Sequence, residues 1–445
     1  QTTADFLDSV PILKNIARGS NKGGDGKQTT ALNQPRSLPL IKNPSGKLGG
    51  YLYIPNVAGN YAEGPSVTIG TNETWEGEVD MVATLWGSYV MPMGGGDWTS
   101  GFGLIFYTTG IVRVFSKGLG VDSAIASGVT LGTTFNAKYG YDGTDLYVDI
   151  DGVRKFTTTA PSQSGSITHT LELNQQANIG NVGNYAIQKA KLTVASSVVF
   201  ECDFNGSTSI RHGDTKLQAA VGGPVTINQS GNDPATVIKK SVLRFANLSN
   251  GTTSIGLQGL LNQTIDSGYM FAAFSVLGDG GVSFGRILSL NATGGMDSGA
   301  GGVAFRRNGS LNGLMIRYNG LNTTTHSNFF DDERGDYLLD VKVSTGSQQS
   351  KVNNADADNG IGTAAGQLNA AGFAIASGTN GGNEAAIDLE YLALFPATIT
   401  DAEAARVVNY INTRNTVFDL KDSLGYYFFD PQSITDSDIT STLFT

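Results

Sequence analysis

The chain contains a single cysteine, Cys202, among its 445 residues. One thiol cannot build a disulfide framework or a thiolate metal cluster, so both of these small-protein strategies are excluded. Histidine is scarce as well, with three residues in the whole chain. No apolar run approaches the roughly eighteen residues that a bilayer-crossing helix needs. The sequence therefore predicts no membrane span.

Charged residues are sparse, and their balance is acidic. Asp, Glu, Lys and Arg make up 15% of the chain, against about a quarter in an ordinary globular protein, and the formal net charge is −10. An acidic surface repels nucleic-acid phosphates and anionic headgroups. We therefore expect neither nucleic acid nor a membrane as the main partner. The first 47 residues are the exception, because basic side chains outnumber acidic ones there.

Glycine is abundant, with 59 residues, and short alternating apolar runs recur along the chain. This composition is typical of short strands joined by tight turns. The clearest case is the Asp151-Gly152 pair, which predicts a hairpin between Leu146–Ile150 and Val153–Phe156. Many short strands at such spacing indicate a β-sandwich or barrel.

The strand pattern occurs twice. The stretch Tyr51–Pro65, an apolar run followed by turn residues, is matched by Val242–Gln258 about 190 residues later. Two copies of one sandwich explain this spacing. Three further pairs of segments fit the same duplication: Glu78–Leu85 with Tyr269–Leu277, Gly143–Asp151 with Arg334–Ser344, and Ile187–Phe200 with Ala386–Phe395.

These patterns divide the chain into five parts. We expect an anchor arm over 1–47, a first sandwich over 48–200, a connector over 201–240, a second sandwich with a helix over 241–415, and a tail over 416–445. The helix is predicted to begin at Thr400, because Thr400 and Glu403 have the spacing of a capping box. Apolar residues then follow at helical spacing.

Two motifs carry a resemblance to a known fold. The segment 139–152 has the pattern aromatic-x-x-Gly-x-x-Leu-Tyr-Val-Asp-x-x-Gly, and 389–411 reads LEYLALFPATITDAEAARVVNYI. Both resemble concanavalin A-like, laminin G-type jelly rolls, and YLYIPNVAGNYAEGP at 51–65 resembles the opening of such domains in bacteriophage structural proteins. The resemblance implies an all-β fold: two tandem concanavalin A-like jelly-roll β-sandwiches, an extended N-terminal arm and one short C-terminal helix.

The strongest signal for catalysis is the pair Glu78 and Asp80. These residues resemble the first part of the Glu-x-Asp-x-x-Glu strand of jelly-roll β-glucanases, which need a nucleophile and a separate acid. The second acid should fall at Ala83 or Thr84, and neither has a carboxyl group. A solvated strand face is the better interpretation, and we expect no catalytic residues. The histidines, His169, His212 and His326, stand in polar or turn-like stretches without a second motif.

Binding sites have weaker signals. Laminin G-type folds often hold calcium at a rim, and the candidate ligands are the loop carboxylates Asp142, Asp145, Asp356 and Asp358. Loop Asp residues also serve as turn formers, so this interpretation stays open beside the first. We expect no other cofactor. For a glycan, the candidates are Trp98, in a glycine-rich loop, and Trp86.

Taken together, the sequence predicts a non-enzymatic structural protein of a bacteriophage particle, located in the virion as a fibre, tail appendage or capsid decoration. Its partners would be other virion proteins, further copies of itself (a trimer by analogy with phage fibres) and a host surface glycan. A secreted carbohydrate-binding protein is the alternative, and a jelly-roll glycanase or polysaccharide lyase is the third. The residues expected to anchor the arm are Phe6, Leu7, Ile12, Leu13, Lys14 and Arg18, and those expected to pack the tail are Tyr426, Tyr427, Phe428 and Phe429.

Overall fold

The structure is a computed structural model of the whole chain. It describes residues 12–13, 26–27, 36–85, 90–97, 99–107, 110–117, 125–126, 128–159, 163, 165–174, 184–207, 209–230, 233–246, 257–265, 267–281, 285–291, 303–308, 313–318, 321–326, 336–344, 347–353, 355–357, 370–377, 385–396, 399–413 and 427–429.

Strands are numbered in chain order, and three groups of them share a stretch of chain. The N-terminal stretch holds β1 (Ile12–Leu13), β2 (Gly26–Lys27), β3 (Arg36–Leu38), β4 (Ile41–Lys42) and β5 (Leu48–Gly49). The next group is β6 (Tyr51–Ile54), β7 (Tyr61–Ile69), β8 (Trp75–Leu85), β9 (Gly94–Gly95), β10 (Phe102–Phe106), β11 (Ile111–Ser116), β12 (Ile125–Ala126), β13 (Thr134–Tyr141), β14 (Asp145–Ile150), β15 (Val153–Thr159), β16 (Ile167–Leu173), β17 (Asn184–Val194), β18 (Ser197–Asp203), β19 (Lys216–Gln218), β20 (Pro224–Asn228) and β21 (Thr236–Ile238). The last group is β22 (Val242–Phe245), β23 (Leu257–Ile265), β24 (Gly268–Gly281), β25 (Arg286–Asn291), β26 (Val303–Asn308), β27 (Gly313–Tyr318), β28 (Leu321–His326), β29 (Asp336–Ser344), β30 (Ser347–Val352), β31 (Ala355–Asp356), β32 (Ala370–Ile375), β33 (Ala385–Pro396) and, after helix α1 (Asp401–Thr413), β34 (Tyr427–Phe429).

The chain forms two compact units. Unit 1 comprises Gln1–Phe6 and Pro39–Lys240, and unit 2 comprises Leu7–Leu38 and Ser241–Thr445. All strand pairs in both units are antiparallel across the described residues, and α1 is the one helix found in that part of the chain. No helix there is long and apolar enough to cross a membrane. The predicted all-β fold class is confirmed.

Unit 1 is a sandwich of two sheets. Sheet I has the strand order β15-β14-β13-β8-β17-β6-β21, and sheet II has the order β12-β11-β10-β9-β16-β7-β20-β19. Their facing sides form one core, to which sheet I contributes Val79 and Leu192 and sheet II contributes Leu104 and Leu171. Because strand side chains alternate between faces, the polar residues between these core positions point away from the core.

Unit 2 repeats this construction. Sheet III has the order β31-β30-β29-β24-β33-β22-β3, and sheet IV has the order β28-β27-β26-β25-β32-β23-β2-β1. Met270 and Leu339 from sheet III meet Leu314 and Ile375 from sheet IV in a second continuous core. The two units therefore match strand by strand, since sheet III follows the order of sheet I and sheet IV follows that of sheet II.

The matched strand orders correct one detail of the predicted duplication. The sequence pattern paired Arg334–Ser344 with Gly143–Asp151, which contains β14. In the structure β29 lies beside β24, as β13 lies beside β8, so β29 is the counterpart of β13. Strand β30 is the counterpart of β14. The pattern erred because neighbouring strands of one sheet have similar alternation, and only pairing distinguishes them.

The predicted hairpin of unit 1 is confirmed. Strands β14 and β15 pair with each other through the two-residue turn Asp151-Gly152. The backbone φ angles of these residues are 51° and 73°. Positive φ at both turn positions is the type I′ geometry that Asp-Gly favours, because glycine has no Cβ to clash.

The connector and the arm have structural partners within this chain. Residues expected to form a connector supply β19 and β20 to sheet II and β21 to sheet I, and so belong to unit 1. Part of the expected arm likewise supplies β3 to sheet III and β1 and β2 to sheet IV. These strands pair with this chain itself, whereas we had expected a partner subunit to hold the arm.

The helix begins as its sequence predicted. The Glu403 amide donates a hydrogen bond to Thr400 Oγ1 at 3.2 Å, and the Thr400 amide donates one to Glu403 Oε2 at 2.7 Å. This reciprocal capping box satisfies two amide donors that the first turn would leave unpaired.

Candidate functional site

The outer face of sheet III is apolar where helix α1 lies on it. The face presents Tyr269, Phe271 and Phe395, and the helix contributes Val407 and Ile411 to the same buried cluster. The Phe271 and Phe395 rings meet edge to face, with centroids 5.9 Å apart. Each fully buried side chain of this size stabilises the docked helix by roughly 1.5–3 kcal/mol.

Beside the docked helix, two rows of polar residues cross the same sheet face. Cross-strand register places Tyr269 opposite Lys342 and Lys342 opposite Gln349. In the next row, Asp340 lies opposite Lys351. Residues directly opposite on one face have Cβ atoms about 5 Å apart, so the two rows form one surface.

A groove of about 340 Å³ lies between these rows and the helix. Its volume is within the range of small-molecule sites. The wall formed by the helix is mostly apolar, and the floor formed by the sheet is mostly polar. The lining residues are Tyr269, Asp340, Lys342, Gln349, Ser350, Lys351, Asp401, Ala404, Ala405 and Val408.

Asp340 is the carboxyl group of the groove that has no partner in the described part of the chain: no hydrogen bond or ion pair within 4 Å is made by its oxygens. Burial raises its pKa from the usual 3.8 to about 6, although the nearby Lys351 partly opposes this. Desolvation disfavours the charged form of a carboxyl group. At neutral pH the group is an ionised acceptor facing the groove.

The other acid of the groove is already paired. Asp401 Oδ1 accepts a hydrogen bond from Lys342 Nζ at 2.8 Å and another from the Tyr269 hydroxyl. These bonds lower the pKa of Asp401, and that with Asp401 raises the pKa of Lys342 to about 12. The Lys342 ammonium also lies over the Tyr269 ring, 5.1 Å from its centroid, so that ring is covered.

This arrangement suits a ligand with several hydroxyl groups. Asp340 can accept hydrogen bonds, while Lys342, Lys351 and Gln349 can donate them. The helix wall offers an apolar patch through Val408. One unpaired carboxylate and two ammonium groups bind by hydrogen bonding and charge, and they provide no nucleophile with a matched acid.

The acids predicted as the remnant of a glycanase motif lie in unit 1, on the outer face of sheet I. Asn136 Nδ2 donates hydrogen bonds to Glu78 Oε1 at 3.1 Å and to Asp80 Oδ1 at 2.7 Å. Lys138 Nζ is 3.7 Å from Glu78 Oε1. Burial raises the pKa of Asp80, and the Asn136 hydrogen bond opposes the rise. These acids form part of a cross-strand polar row.

Each of the three histidines has a hydrogen-bond partner. His169 Nε2 lies 2.9 Å from the Ser100 carbonyl oxygen, and His326 Nε2 lies 2.9 Å from Ser350 Oγ. His212 Nδ1 accepts a hydrogen bond from the Lys239 amide at 3.3 Å. His212 and His326 are buried, although their sequence surroundings are polar.

The calcium candidates are dispersed. Asp142 Oδ1 accepts the amides of Thr144 and Asp145 at 2.9 and 2.8 Å, which is a turn-forming role. Asp356 is exposed and lies 3.5 Å from Lys351 Nζ, and Asp358 falls outside the described residues. Within the described part of the chain, no three His, Cys, Asp or Glu side chains converge on a metal position. Calcium binding stays a prediction.

The remaining predicted residues are placed as follows. Trp86, Trp98, Phe6, Leu7, Lys14, Arg18 and Tyr426 lie outside the described residues. Ile12 and Leu13 form β1, which pairs with β2. Tyr427, Phe428 and Phe429 form β34, which pairs with β33 of sheet III.

The groove was missed by the sequence analysis. Asp340 and Lys342 alternate with buried residues in β29, which was interpreted as an ordinary strand with one polar face. The signal that could have found the groove is the capped helix placed directly after β33, since an amphipathic helix needs a sheet face to cover. The pattern does not say which face it covers.

No family model matches this sequence, and no curated protein matches it either. Comparison with solved structures finds mouse laminin alpha1 chain domains LG4-5, with 10% identity and a TM-score of 0.30 over 80% of this chain and 91% of that one. It also finds a botulinum neurotoxin DC binding domain in complex with rat synaptotagmin II, with 11% identity and a TM-score of 0.23 over 88% and 98% of the two chains. The structure titled for botulinum neurotoxin type C and two ganglioside molecules matches with 10% identity and a TM-score of 0.21 over 80% and 87%. At these scores, the sheets and cores described above carry the fold assignment.

Proposed function

We propose that this chain is a non-enzymatic, lectin-like binding protein whose groove beside helix α1 holds a saccharide. The observation that carries the proposal is Asp340, a largely buried carboxylate without a partner in the described part of the chain, at the floor of a groove that also presents Lys342 and Lys351. Carboxylate and ammonium groups together match the donors and acceptors of neighbouring sugar hydroxyls. Burying a carboxylate is costly, and ligand hydroxyls would compensate for its lost hydration.

Binding is favoured over hydrolysis by the number of available acids. Glycoside hydrolysis ordinarily needs two carboxyl groups in different protonation states across the scissile bond. In the groove, Asp401 is committed to Lys342 and Tyr269, which leaves Asp340 alone. On sheet I, Glu78 and Asp80 share the Asn136 amide.

A glycan array with the purified chain, followed by calorimetric titration of the best oligosaccharide, tests the proposal. We expect Asp340→Asn to weaken binding at least about tenfold, because a hydrogen bond to a charged group contributes about 1.5–3 kcal/mol. Affinity of the unmodified chain should rise as the pH increases through about 6, where Asp340 ionises. Asp80→Asn on unit 1 is the matched control and should leave affinity unchanged.

Two outcomes would contradict the groove as the binding site. One is an affinity that Asp340→Asn does not alter. The other is loss of binding in Trp98→Ala with Asp340→Asn unaffected, which would place the saccharide at the glycine-rich loop of unit 1. Release of reducing sugar by the unmodified chain, abolished in Glu78→Gln, would support the glycanase alternative.

We further propose that the chain displays this site on a bacteriophage particle, as a fibre, tail appendage or capsid decoration. Support comes from the resemblance of residues 51–65 to openings of phage structural domains. The basic balance of residues 1–47 also suits attachment to an acidic neighbouring protein. Cross-linking mass spectrometry of purified particles, through the lysines of this stretch, should identify virion proteins as neighbours. A glycan-binding chain absent from particles would instead be the secreted alternative.

A further inference from the structure

Each unit of this chain is completed by strands from outside its continuous sandwich, and the two completions are equivalent. In unit 1, β20 pairs with β7 and β21 pairs with β6. In unit 2, β2 pairs with β23 and β3 pairs with β22. Because β7 corresponds to β23 and β6 to β22, the same two sheet edges are covered in both units.

The register of the completing strands is also the same. Thr226 lies opposite Glu63 in unit 1, and Lys27 lies opposite Gln258 in unit 2. Glu63 stands in the sequence Ala-Glu-Gly and Gln258 stands in Leu-Gln-Gly, so these acceptor positions correspond. The short N-terminal strands are therefore counterparts of β20 and β21.

The sequences that supply these strands share a spacing. A Gly-Gly pair ending at Gly24 precedes Pro35, and a Gly-Gly pair ending at Gly223 precedes Pro234, with the same number of residues between glycine and proline. We call residues 23–38 the donor segment and residues 222–238 the internal segment. Each is followed by a sandwich in the chain.

Their order relative to the sandwich they complete is different. The internal segment completes the sandwich that comes before it in the chain. The donor segment has no sandwich before it here, and its strands complete the one at the other end of the same chain. If the rule of the internal segment holds throughout, the sandwich before the donor segment is unit 2 of another copy.

The junction after the donor segment favours such an exchange. Strand β3 ends at Leu38, which is fully buried, and β4 begins at Ile41. Between them, the Pro39 carbonyl accepts a hydrogen bond from the Tyr51 hydroxyl at 3.0 Å, which holds Pro39 to unit 1. Proline also restricts the residue before it to extended conformations. Short, stiff hinges of this kind promote exchange of elements between copies.

We propose that the donor segment completes unit 2 of a second copy of this chain, so that copies associate by strand exchange. The exchanged strands make the same backbone hydrogen bonds in either arrangement, so the hinge and the chain concentration decide between them. An acceptor edge without a donor would expose the backbone of β22 and β23, next to the core residues Leu243 and Leu257.

Cysteine pairs at the matched register test this directly. Two full-length chains with different tags, one with Lys27→Cys and one with Gln258→Cys, are co-expressed and oxidised. Opposite positions on antiparallel strands have Cα atoms close enough for a disulfide. We expect a disulfide between differently tagged chains and hence a doubled mass without reductant. The native Cys202 does not compete, because burial raises the pKa of its thiol to about 12.

The matched control uses the internal segment. Chains with Thr226→Cys and Glu63→Cys, co-expressed in the same way, should remain unlinked to each other, whereas the double variant in one chain should close internally. Closure of the Lys27→Cys/Gln258→Cys double variant within one chain, with no link in the mixture, would overturn the exchange. Absence of any link at this pair would overturn the proposed register itself.

A hinge variant gives a second readout. Insertion of four Gly and Ser residues between Leu38 and Pro39 removes the restraint on returning to the same chain. We expect the inter-chain fraction to fall several-fold while the intrachain disulfide of the double variant persists. An unchanged inter-chain fraction would contradict the role given to the hinge.

Discussion

The two units share one arrangement of strands but differ on the outer face of the equivalent sheet. In unit 1, β8 presents Glu78 and Asp80, which Asn136 and Lys138 neutralise from the next strand. In unit 2, β24 presents Tyr269 and Phe271 at the corresponding face, and helix α1 covers them. Replacing outward acids with aromatics converts a hydrated surface into a docking surface.

The difference explains why the groove is found in unit 2. A groove needs two walls, and the second wall is the helix. Because α1 covers only part of sheet III, the rows containing Asp340 and Lys342 remain open beside it. The shared strand order sets the frame, and the outward residues decide whether a site forms on it.

The units also differ at one buried cross-strand pair. Tyr53 lies opposite Ala186 in unit 1, and Arg244 lies opposite Asp388 at the corresponding place in unit 2. The Tyr53 hydroxyl donates to Asp233 Oδ2 at 3.2 Å. Arg244 donates through Nε and Nη2 to the two Asp388 oxygens, both at 2.7 Å, with neither side chain exposed. An uncharged pair and an ion pair thus occupy equivalent positions.

The largest effect is expected from breaking this ion pair. Asp388→Ala leaves a buried guanidinium without its carboxylate and should destabilise unit 2 by about 3–5 kcal/mol. All three tryptophans belong to unit 1 by position, so their fluorescence follows unit 1 while circular dichroism follows both units. We expect urea unfolding to shift in circular dichroism and stay unchanged in fluorescence.

The double variant Arg244→Tyr/Asp388→Ala sharpens the comparison by giving unit 2 the pair that unit 1 uses. Because both charges are removed together, it should recover most of the loss. A double variant as unstable as Asp388→Ala would show that the two positions are not equivalent. Tyr53→Phe is the control in unit 1, where loss of one hydrogen bond should cost about 1 kcal/mol.

A smaller effect is expected from the groove carboxyl. Burial raises the pKa of Asp340 from 3.8 to about 6, so the folded chain keeps this proton up to about pH 6 while the unfolded chain loses it near pH 4. Stability of unit 2 should therefore fall as pH rises between those values. Asp340→Asn removes the penalty and should increase the free energy of unfolding at pH 7.5 by about 2 kcal/mol, with little change at pH 4.

Unfolding curves at the two pH values check this prediction, and Asp80→Asn on the equivalent face of unit 1 is the matched control. A smaller gain is expected there, because Asn136 donates a hydrogen bond to the Asp80 carboxylate. An Asp340→Asn chain that is less stable at pH 7.5 than the unmodified chain would contradict the assignment of Asp340 as an uncompensated buried acid.

The smallest effect is expected at the helix start. Thr400→Ala removes the hydroxyl that accepts the Glu403 amide and should destabilise the docked helix by about 1 kcal/mol. Thr400→Ser keeps the hydroxyl and serves as the control. The change should appear in circular dichroism alone, and an equal change in tryptophan fluorescence would show that unit 1 depends on the helix.

Much of this architecture could be predicted from local patterns. The Asp151-Gly152 hairpin and the Thr400–Glu403 capping box are confirmed because each depends on residues close together in the chain. The duplication could be predicted for the same reason, since each copy repeats its own alternation. The pairing of β29 was placed one strand away, because alternation names a strand without naming its neighbour.

The sequence by itself determined that this is a duplicated all-β protein with one capped helix, because turn chemistry and alternation act over a few residues. The tertiary structure decided which segments complete each sandwich, as the N-terminal strands pair with residues more than two hundred positions away. It also decided where Asp340 would lie. A groove forms where elements distant in sequence pack together, and burial and charge depend on that packing.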